Sequence, residues 1–306
     1  MTGGAGFIGS HVVEALLEAG HTVAVLDDLS TGKRANVPEG TPLFELDITD
    51  SVEAAFAQFR PDVLVHEAAQ VSVSVSMNQP LEDAETNILG TIRLLRTALA
   101  HGVRKVVYAS SAAAYGPLEK LPLVETQRAM PISAYGASKY TVEHYLKTAQ
   151  HHWGLEQWAA LRYSNVYGPR QDPHGEAGVV AIFCNALSQS ESPLIFDDGE
   201  LTRDYVFVGD VARANVCAIE TDLAGHPDPV FNISTGRETT VNTLFDELQT
   251  AYGVDTPARS APPRPGDVRR SVLSPEKARR ELGWEARTPF SEGIRRTVEF
   301  FRSPER

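Results

Sequence analysis

Tyr135 and Lys139 stand four positions apart in SAYGASKY (residues 133–140) and could carry acid–base chemistry. On a helix this spacing places both side chains on one face. A free tyrosine has a pKa of about 10, too high for a base at neutral pH, but a nearby ammonium favours the phenolate. Ser111 ends the strand-like run KVVYASS and could hydrogen-bond the same substrate hydroxyl. We therefore predict proton transfer by Tyr135, the alternative being an ordinary surface pair.

A second chemical signal lies in MTGGAGFIGSH at the start of the chain, where Gly3, Gly6 and Gly9 are spaced as GxxGxxG. Glycines at this spacing belong to a turn between a strand and a helix, where the backbone can approach a pyrophosphate. The alternative is a flexible amino terminus. The helix-like stretch that follows favours a dinucleotide-binding turn.

Asp27 ends the apolar run TVAVLD, 24 positions after Gly3. An acid at this place can accept hydrogen bonds from the ribose hydroxyls of adenosine and repels a 2′-phosphate. The pattern favours NAD over NADP, although Lys33 and Arg34 lie nearby and a surface aspartate remains the alternative. An oxidised nicotinamide would also favour the phenolate of Tyr135.

Short apolar runs alternate with helical stretches through the first part of the chain. Strands are predicted at 22–27, 43–47, 62–69, 105–111 and 158–163, and helices at 7–19, 51–58, 80–101 and 134–152. This alternation predicts an α/β fold with a doubly wound parallel (Rossmann) sheet.

Beyond residue 165 the alternation loosens, and Pro, Gly and Asp become frequent. We expect an NAD-binding domain at 1–165 and a smaller substrate-binding lobe at 166–306. Segments near 204–236, at 204–208 (DYVFV) and 230–234 (VFNIS), could return to the Rossmann sheet.

Only Met1 and Thr2 precede the glycine turn, so the first β-strand of the predicted sheet is missing. That strand is central, and its loss would leave the turn unanchored and its neighbours unpaired. We expect the given sequence to start late, with Met1 encoded by a GTG valine codon read as a start. Translation of the upstream DNA in frame would test this, and a stop codon there would contradict it.

Composition limits the classes of partner. The 306 residues carry a formal net charge of −12, which argues against nucleic acid, whereas a small anion needs only two or three cations. No apolar window has the length of a membrane span, so no membrane partner is expected. Cys184 and Cys217 form no metal-ligand spacing, which indicates a reducing, cytoplasmic setting and no metal.

The motifs together resemble the extended short-chain dehydrogenase/reductase superfamily, on TGGAGFIGSH, the run ending in Asp27, SSAAAYG and YGASK. LRYSNVYGPRQ, TRDYVFVGDVARA, PPRPGD and the closing LGW…EGI are similar to its nucleotide-sugar branch, most closely the UDP-glucose (UDP-galactose) 4-epimerases. The resemblance covers nearly the whole chain.

The resemblance implies reversible inversion at C4 of a UDP-hexose, through a 4-keto intermediate and transient NADH. It implies a homodimer that pairs the helices at 80–101 and 134–152. It assigns Ser111, Tyr135 (the base) and Lys139 (on the nicotinamide ribose) to catalysis, and Ser111 and Tyr135 also to substrate. Its cofactor positions are Gly3, Gly6, Phe7, Ile8, Gly9, Asp27, Asp47, Ile48, Ala68, Ala69, Asn87, Tyr135 and Lys139, and its UDP-sugar positions add Asn165, Arg203, Arg264 and Asp267. For Asn87, a polar group inside a helix is the alternative.

Three departures from the family pattern bear on the substrate and on the cofactor contacts. Ala112 and Ala113 follow Ser111 where family dehydratases carry an acid, which disfavours elimination of water. Val71 stands where 4-epimerases often carry a lysine near the nicotinamide ribose. Ser271 stands where some hexose-specific members carry a tyrosine, and its smaller side chain would leave room for an N-acetyl group. UDP-glucuronate or UDP-N-acetylglucosamine 4-epimerases and other nucleotide-sugar oxidoreductases stay open. A non-catalytic NAD sensor would be expected to lose the Tyr/Lys pair.

Overall fold

A computed structural model describes residues 1–174, 178–263 and 268–303. Its strands are β1 (Val25–Asp27), β2 (Leu43–Glu45), β3 (Val63–His66), β4 (Lys105–Ser111), β5 (Gln157–Tyr163), β6 (Asn165–Tyr167), β7 (Leu194–Phe196), β8 (Thr202–Arg203), β9 (Tyr205–Phe207), β10 (Val230–Ile233), β11 (Thr239–Thr240) and β12 (Arg259–Ala261). Its α-helices are α1 (Phe7–Glu18), α2 (Glu53–Phe59), α3 (Val73–Asn78), α4 (Pro80–Ala84), α5 (Thr91–Ala100), α6 (Ala134–His152), α7 (Val179–Ser188), α8 (Val208–Glu220), α9 (Val241–Tyr252), α10 (Glu276–Leu282) and α11 (Phe290–Arg302).

The main sheet is parallel and places the strands in the order β2, β1, β3, β4, β5 and β10. Thr2 lies between β1 and β3 and forms bridges with Leu26 on one side and His66 on the other. The predicted doubly wound parallel sheet is confirmed.

The two residues before the glycine turn hold the centre of this sheet. The N–H of Thr2 donates to the carbonyl of Val65 at 2.9 Å, and the N–H of Leu26 donates to the carbonyl of Met1 at 2.8 Å. The N–H of Gly3 donates to the carbonyl of Leu26 at 2.9 Å. The expectation that the turn would be unanchored was therefore wrong: two residues pair with both neighbouring strands and hold it.

Apolar side chains cover both faces of the sheet because its inner strands are buried on both sides. One layer comes from α1 and α8, through Val12, Val13, Leu16, Val211, Ala214 and Ala218. The other comes from α2, α5 and α6, through Ala55, Phe56, Leu94, Leu95, Val142 and Leu146. These layers leave the carboxyl ends of the strands at one edge, where ligands bind in folds of this class.

The carboxyl-terminal part of the chain has its own apolar cluster, which α7, α9 and α11 build around Phe183, Leu244, Leu248, Ile294 and Val298. Val230–Ile233 joins the main sheet beside β5, whereas Tyr205–Phe207 pairs with β6 in a separate parallel ribbon.

No helix within the described ranges has both the length and the apolar character that crossing a membrane requires.

The helix predicted at 80–101 is helical along its length but not regular. A π-helical segment, Glu85–Gly90, separates α4 from α5. Such segments are local features that periodicity does not indicate, and they often stand at functional sites.

Candidate active site

The glycine turn packs against the end of β3 so closely that side chains are excluded. Gly3 has a φ of +68°, and a Cβ there would lie 2.6 Å from the backbone nitrogen of Ala68. A Cβ on Gly9 would lie 1.9 Å from the carbonyl oxygen of Gly3. Gly6 precedes α1 and provides no side-chain cap, so N–H groups at the helix start are available to an anionic ligand. Phe7 and Ile8 open this helix.

Asp27 at the end of β1 is buried, and its carboxylate ties the glycine turn to the strand. One oxygen accepts from the N–H of Ala5 and the other from the N–H of Leu29, both at 2.9 Å. Beyond the neighbouring strand β2, the carboxylate of Asp47 accepts from the N–H of Thr49 at 2.7 Å, and Ile48 is buried. The backbone cradle and this acid fit an adenine dinucleotide.

Asn87 lies in the π-helical segment and holds the loop that contains Ala68 and Ala69. Its side-chain oxygen accepts from the N–H of Gln70 at 2.8 Å, and its amide nitrogen donates to the carbonyl of Gln70 at 2.9 Å. The same nitrogen donates to Asp83 at 3.0 Å and to Ser138 of α6 at 3.2 Å. Asn87 thus connects the loop after β3 to the helix that carries Tyr135 and Lys139.

The start of α6 is fixed by a cap and by a close contact. The hydroxyl of Ser133 accepts from the N–H of Gly136 at 3.0 Å, as a helix N-cap does. A Cβ on Gly136 would lie 2.5 Å from the carbonyl oxygen of Ala113, so glycine lets the helix contact the turn after Ser111.

Ser111, Tyr135 and Lys139 meet at this contact. The ammonium of Lys139 donates to the carbonyl of Ala109 at 2.9 Å and lies 5.9 Å from the centre of the Tyr135 ring. The Ser111 hydroxyl accepts from the N–H of Ala113 at 3.1 Å. A hydrogen bond with Ser111 acts to lower the pKa of Tyr135.

The pKa values of Tyr135 and Lys139 in the folded protein differ from the expectation that the lysine would lower the pKa of the tyrosine. Burial, together with the charges of Asp83 and Glu67, raises the pKa of Tyr135 to about 12. Burial also lowers the pKa of Lys139 to about 8. The protein's own groups keep Tyr135 protonated at neutral pH, so the positive charge of an oxidised nicotinamide would act in the direction that catalysis needs.

The predicted substrate residues Asn165 and Arg203 are more exposed to solvent than Asp27, Asn87 and Lys139. Asn165 is exposed at the start of β6, where its N–H donates to the carbonyl of Asp204 at 2.9 Å. Arg203 is partly buried, and its guanidinium donates to the carbonyls of Thr202 and Val268 at 2.8 and 2.7 Å. Arg264 and Asp267 lie outside the described residues.

Sequence reasoning overlooked Glu67 and Tyr163. Glu67 follows β3 directly, and its carboxylate accepts a hydrogen bond from the Tyr163 hydroxyl at 2.6 Å. Tyr163 ends β5, and its oxygen also accepts from Asn215 of α8 at 2.8 Å. The sequence signal that could have identified Glu67 is an acidic residue directly after β3, the strand that neighbours the glycine turn.

The fold and the site define a dinucleotide-binding protein with a Ser/Tyr/Lys group beside the cofactor cradle. Residues 1–234 match the family described as the NAD dependent epimerase/dehydratase family. The chain belongs to this family, which confirms the predicted NAD-dependent epimerase class.

The relatives that the chain is similar to span its length. It is 44% identical to a UDP-glucose 4-epimerase of Mycolicibacterium smegmatis, over 99% of this chain and 98% of the relative. It is 48% identical to the UDP-glucose 4-epimerase of Thermotoga maritima crystallised with UDP-glucose, with a TM-score of 0.94 over 98% and 97% of the two chains. It is 34% identical to a UDP-N-acetylglucosamine 4-epimerase of Methanobrevibacter ruminantium, with a TM-score of 0.92 over 98% and 96%.

Proposed function

We propose that the protein catalyses the reversible interconversion of UDP-glucose and UDP-galactose by inversion at C4. The observation that carries this proposal is the meeting of the half-buried Tyr135, the buried Lys139 and Ser111 at the start of α6. The identity to UDP-glucose 4-epimerases over nearly the whole chain supports the same substrate class.

The roles of the residues follow from their chemistry. The glycine turn and Asp27 would hold NAD, which would supply hydride transfer from and back to C4. Tyr135 takes the proton of the sugar O4 hydroxyl, Ser111 hydrogen-bonds the same oxygen, and the ammonium of Lys139 favours the tyrosinate. For inversion, the sugar must present its opposite face before the hydride returns.

Small side chains beside the trio suit a sugar that must turn. Ala112 and Ala113 follow Ser111 and carry no acid–base group, so the site contains no acid at these two positions to remove a second proton. This favours oxidation and re-reduction over elimination of water.

The diphosphate and the nucleoside need a firmer hold than the sugar. Arg203 carries a planar fork of donors that suits a diphosphate, and we assign Arg264 the same role. Asp267 and Asn165 supply hydrogen-bonding groups for the uridine part.

A UDP-N-acetylhexosamine is a second candidate substrate. Ser271 is small and partly exposed, and it precedes the segment that pairs with Leu123. The similarity to a UDP-N-acetylglucosamine 4-epimerase favours the same extension. Replacement of Ser271 by Tyr should reduce turnover of the N-acetyl sugar about tenfold relative to the simple hexose, and equal turnover ratios would contradict this reading.

The same proposal includes a homodimer in a reducing, cytoplasmic compartment. Apolar side chains of the helices next to α6 are exposed, among them Met77 at 57% and Leu81 at 84%. Cys184 and Cys217 are both free thiols. Sedimentation or light scattering of the purified protein would test the dimer.

Proton NMR of the protein with NAD and equal amounts of UDP-galactose and UDP-N-acetylgalactosamine tests the activity. Appearance of the gluco epimers is expected, and their relative rates compare the two substrates. If neither sugar changes while NAD binds, the substrate assignment is wrong and UDP-glucuronate is the next compound. Lack of NAD binding would overturn the proposal.

A further inference from the structure

Glu67 is an acid inside the cofactor side of the site, where neither the proposed proton transfer nor the hold on the substrate uses it. It lies between the glycine turn and the catalytic trio: its N–H donates to the carbonyl of Thr2, and its backbone contacts the position of a Cβ on Gly3 at 2.9 Å. Its carboxylate accepts from Tyr163 at 2.6 Å. A carboxylate fixed at such a place acts on every charge nearby.

The groups around Glu67 respond to its charge. Burial is the main cause that raises the pKa of Glu67 to about 7, against the lowering effects of Tyr163, Lys139 and Asn215. In return, the charge of Glu67 raises the pKa of Lys139 and opposes ionisation of Tyr135. The titratable groups that face it are Tyr163 of β5, Tyr108 of β4, and Tyr135 and Lys139 of α6, with Asp83 acting on the same lysine.

We propose that Glu67 is a positioning residue whose half-buried negative charge, held in place by the Tyr163 hydroxyl, makes the site bind the oxidised nicotinamide in preference to the reduced one. The oxidised ring carries a positive charge that the reduced ring lacks, and nearby protein charges tune this difference. Such a preference favours the return of the hydride to the sugar, because the site then ends each turnover with the oxidised cofactor that it binds more tightly. The inference rests on the proposed function only in that NAD lies beside Tyr135 and Lys139.

The test compares dissociation constants for NAD and NADH, measured by calorimetry on the cofactor-stripped protein at about pH 7.5, above the pKa of Glu67 and below that of Lys139. Glu67→Gln keeps the size and hydrogen bonding of the side chain and removes its charge. It should weaken NAD relative to NADH by about tenfold. Glu53→Gln, an exposed acid of α2, removes the same charge elsewhere and should leave the ratio unchanged.

The pH dependence separates a charge effect from a structural one. In the wild type, the preference for NAD should decline as the pH falls through about 7, because Glu67 gains a proton. Glu67→Gln should lack this change. Tyr163→Phe should move it to higher pH, because the Tyr163 hydroxyl stabilises the carboxylate.

Three outcomes would overturn the inference. Glu67→Gln could weaken both forms of the cofactor equally, which is the result of a purely structural role. The wild-type ratio could be the same at all pH values. The wild type could bind neither form, and that result would overturn the proposed function as well, whereas the first two leave it intact.

Discussion

The proposed cofactor side and the proposed substrate side of the site are built in different ways. On the cofactor side, a Cβ on Gly3 or Gly9 would overlap backbone atoms, and Asn87 is buried with four hydrogen bonds. On the substrate side, Asn165 is exposed and Arg203 donates to two backbone carbonyls. Close packing on the cofactor side allows few residue types at each position. On the substrate side, the side chains are constrained mainly by the ligand that they would bind.

This difference suggests how the two sides divide the work. A rigid cradle holds one cofactor in one place through oxidation and re-reduction. A sugar that must present both of its faces needs a site held at the nucleotide and loose around the hexose. Variants on the two sides should therefore fail in different ways.

Replacement of Tyr135 by Phe should produce the largest effect. Loss of the proton acceptor should reduce kcat about a thousandfold, while the affinity for NAD stays within about twofold, because the ring packing is kept. Turnover by the NMR assay and cofactor binding by calorimetry measure the two quantities. A variant that loses NAD binding to the same extent as turnover would contradict the assignment of Tyr135 as the proton acceptor.

Asn87→Ala and Asn165→Ala form a matched pair, one from each side. Asn87→Ala should lower the free energy of unfolding by about 2–3 kcal/mol, because Asp83 and the backbone of Gln70 lose buried partners. Asn165→Ala should change it by less than about 0.5 kcal/mol. Urea denaturation measures both, and equal costs would contradict the difference between the sides.

Arg203→Ala should raise KM for the UDP-sugar about tenfold and leave the affinity for NAD unchanged, since a charged hydrogen bond contributes about 1.5–3 kcal/mol. Steady-state kinetics and calorimetry test the two halves of this prediction. Arg203→Lys, which keeps the charge but not the fork, serves as the control and should recover only part of the affinity. A fall in kcat at unchanged KM would place Arg203 in catalysis instead.

Glu67→Gln should change how the free energy of unfolding depends on pH. Burial raises the folded-state pKa of Glu67 from 4.5 to about 7, so the folded state holds this proton more tightly than the unfolded state. The wild type should therefore lose stability relative to the variant as the pH rises from about 4.5 to about 7, by about 2–3 kcal/mol. Urea denaturation at several pH values tests this, and parallel profiles would contradict it.

Local patterns predicted the elements that depend on local rules. The helix at 134–152 and the strand at 105–111 have the predicted bounds, because an N-cap serine and a run of β-branched residues specify them. The strand ending in Asp27 is shorter than predicted, beginning at Val25, because pairing with its neighbours decides how much of an apolar run becomes strand.

Contacts between distant residues could not be predicted in the same way. Glu67 and Tyr163 are 96 positions apart, and their hydrogen bond depends on the order of the strands in the sheet. The anchoring of the glycine turn by Met1 and Thr2 depends on the same order.

The sequence by itself determined the class of fold, the cofactor family and the trio of Ser111, Tyr135 and Lys139, because glycine sterics, helical spacing and hydrophobic alternation act over short distances. Only the tertiary structure decided the charge state of that trio. Burial raises the pKa of Tyr135 and lowers that of Lys139, and folding brings the carboxylate of Glu67 close enough to act on both. These effects come from desolvation and from charges that are distant in the sequence.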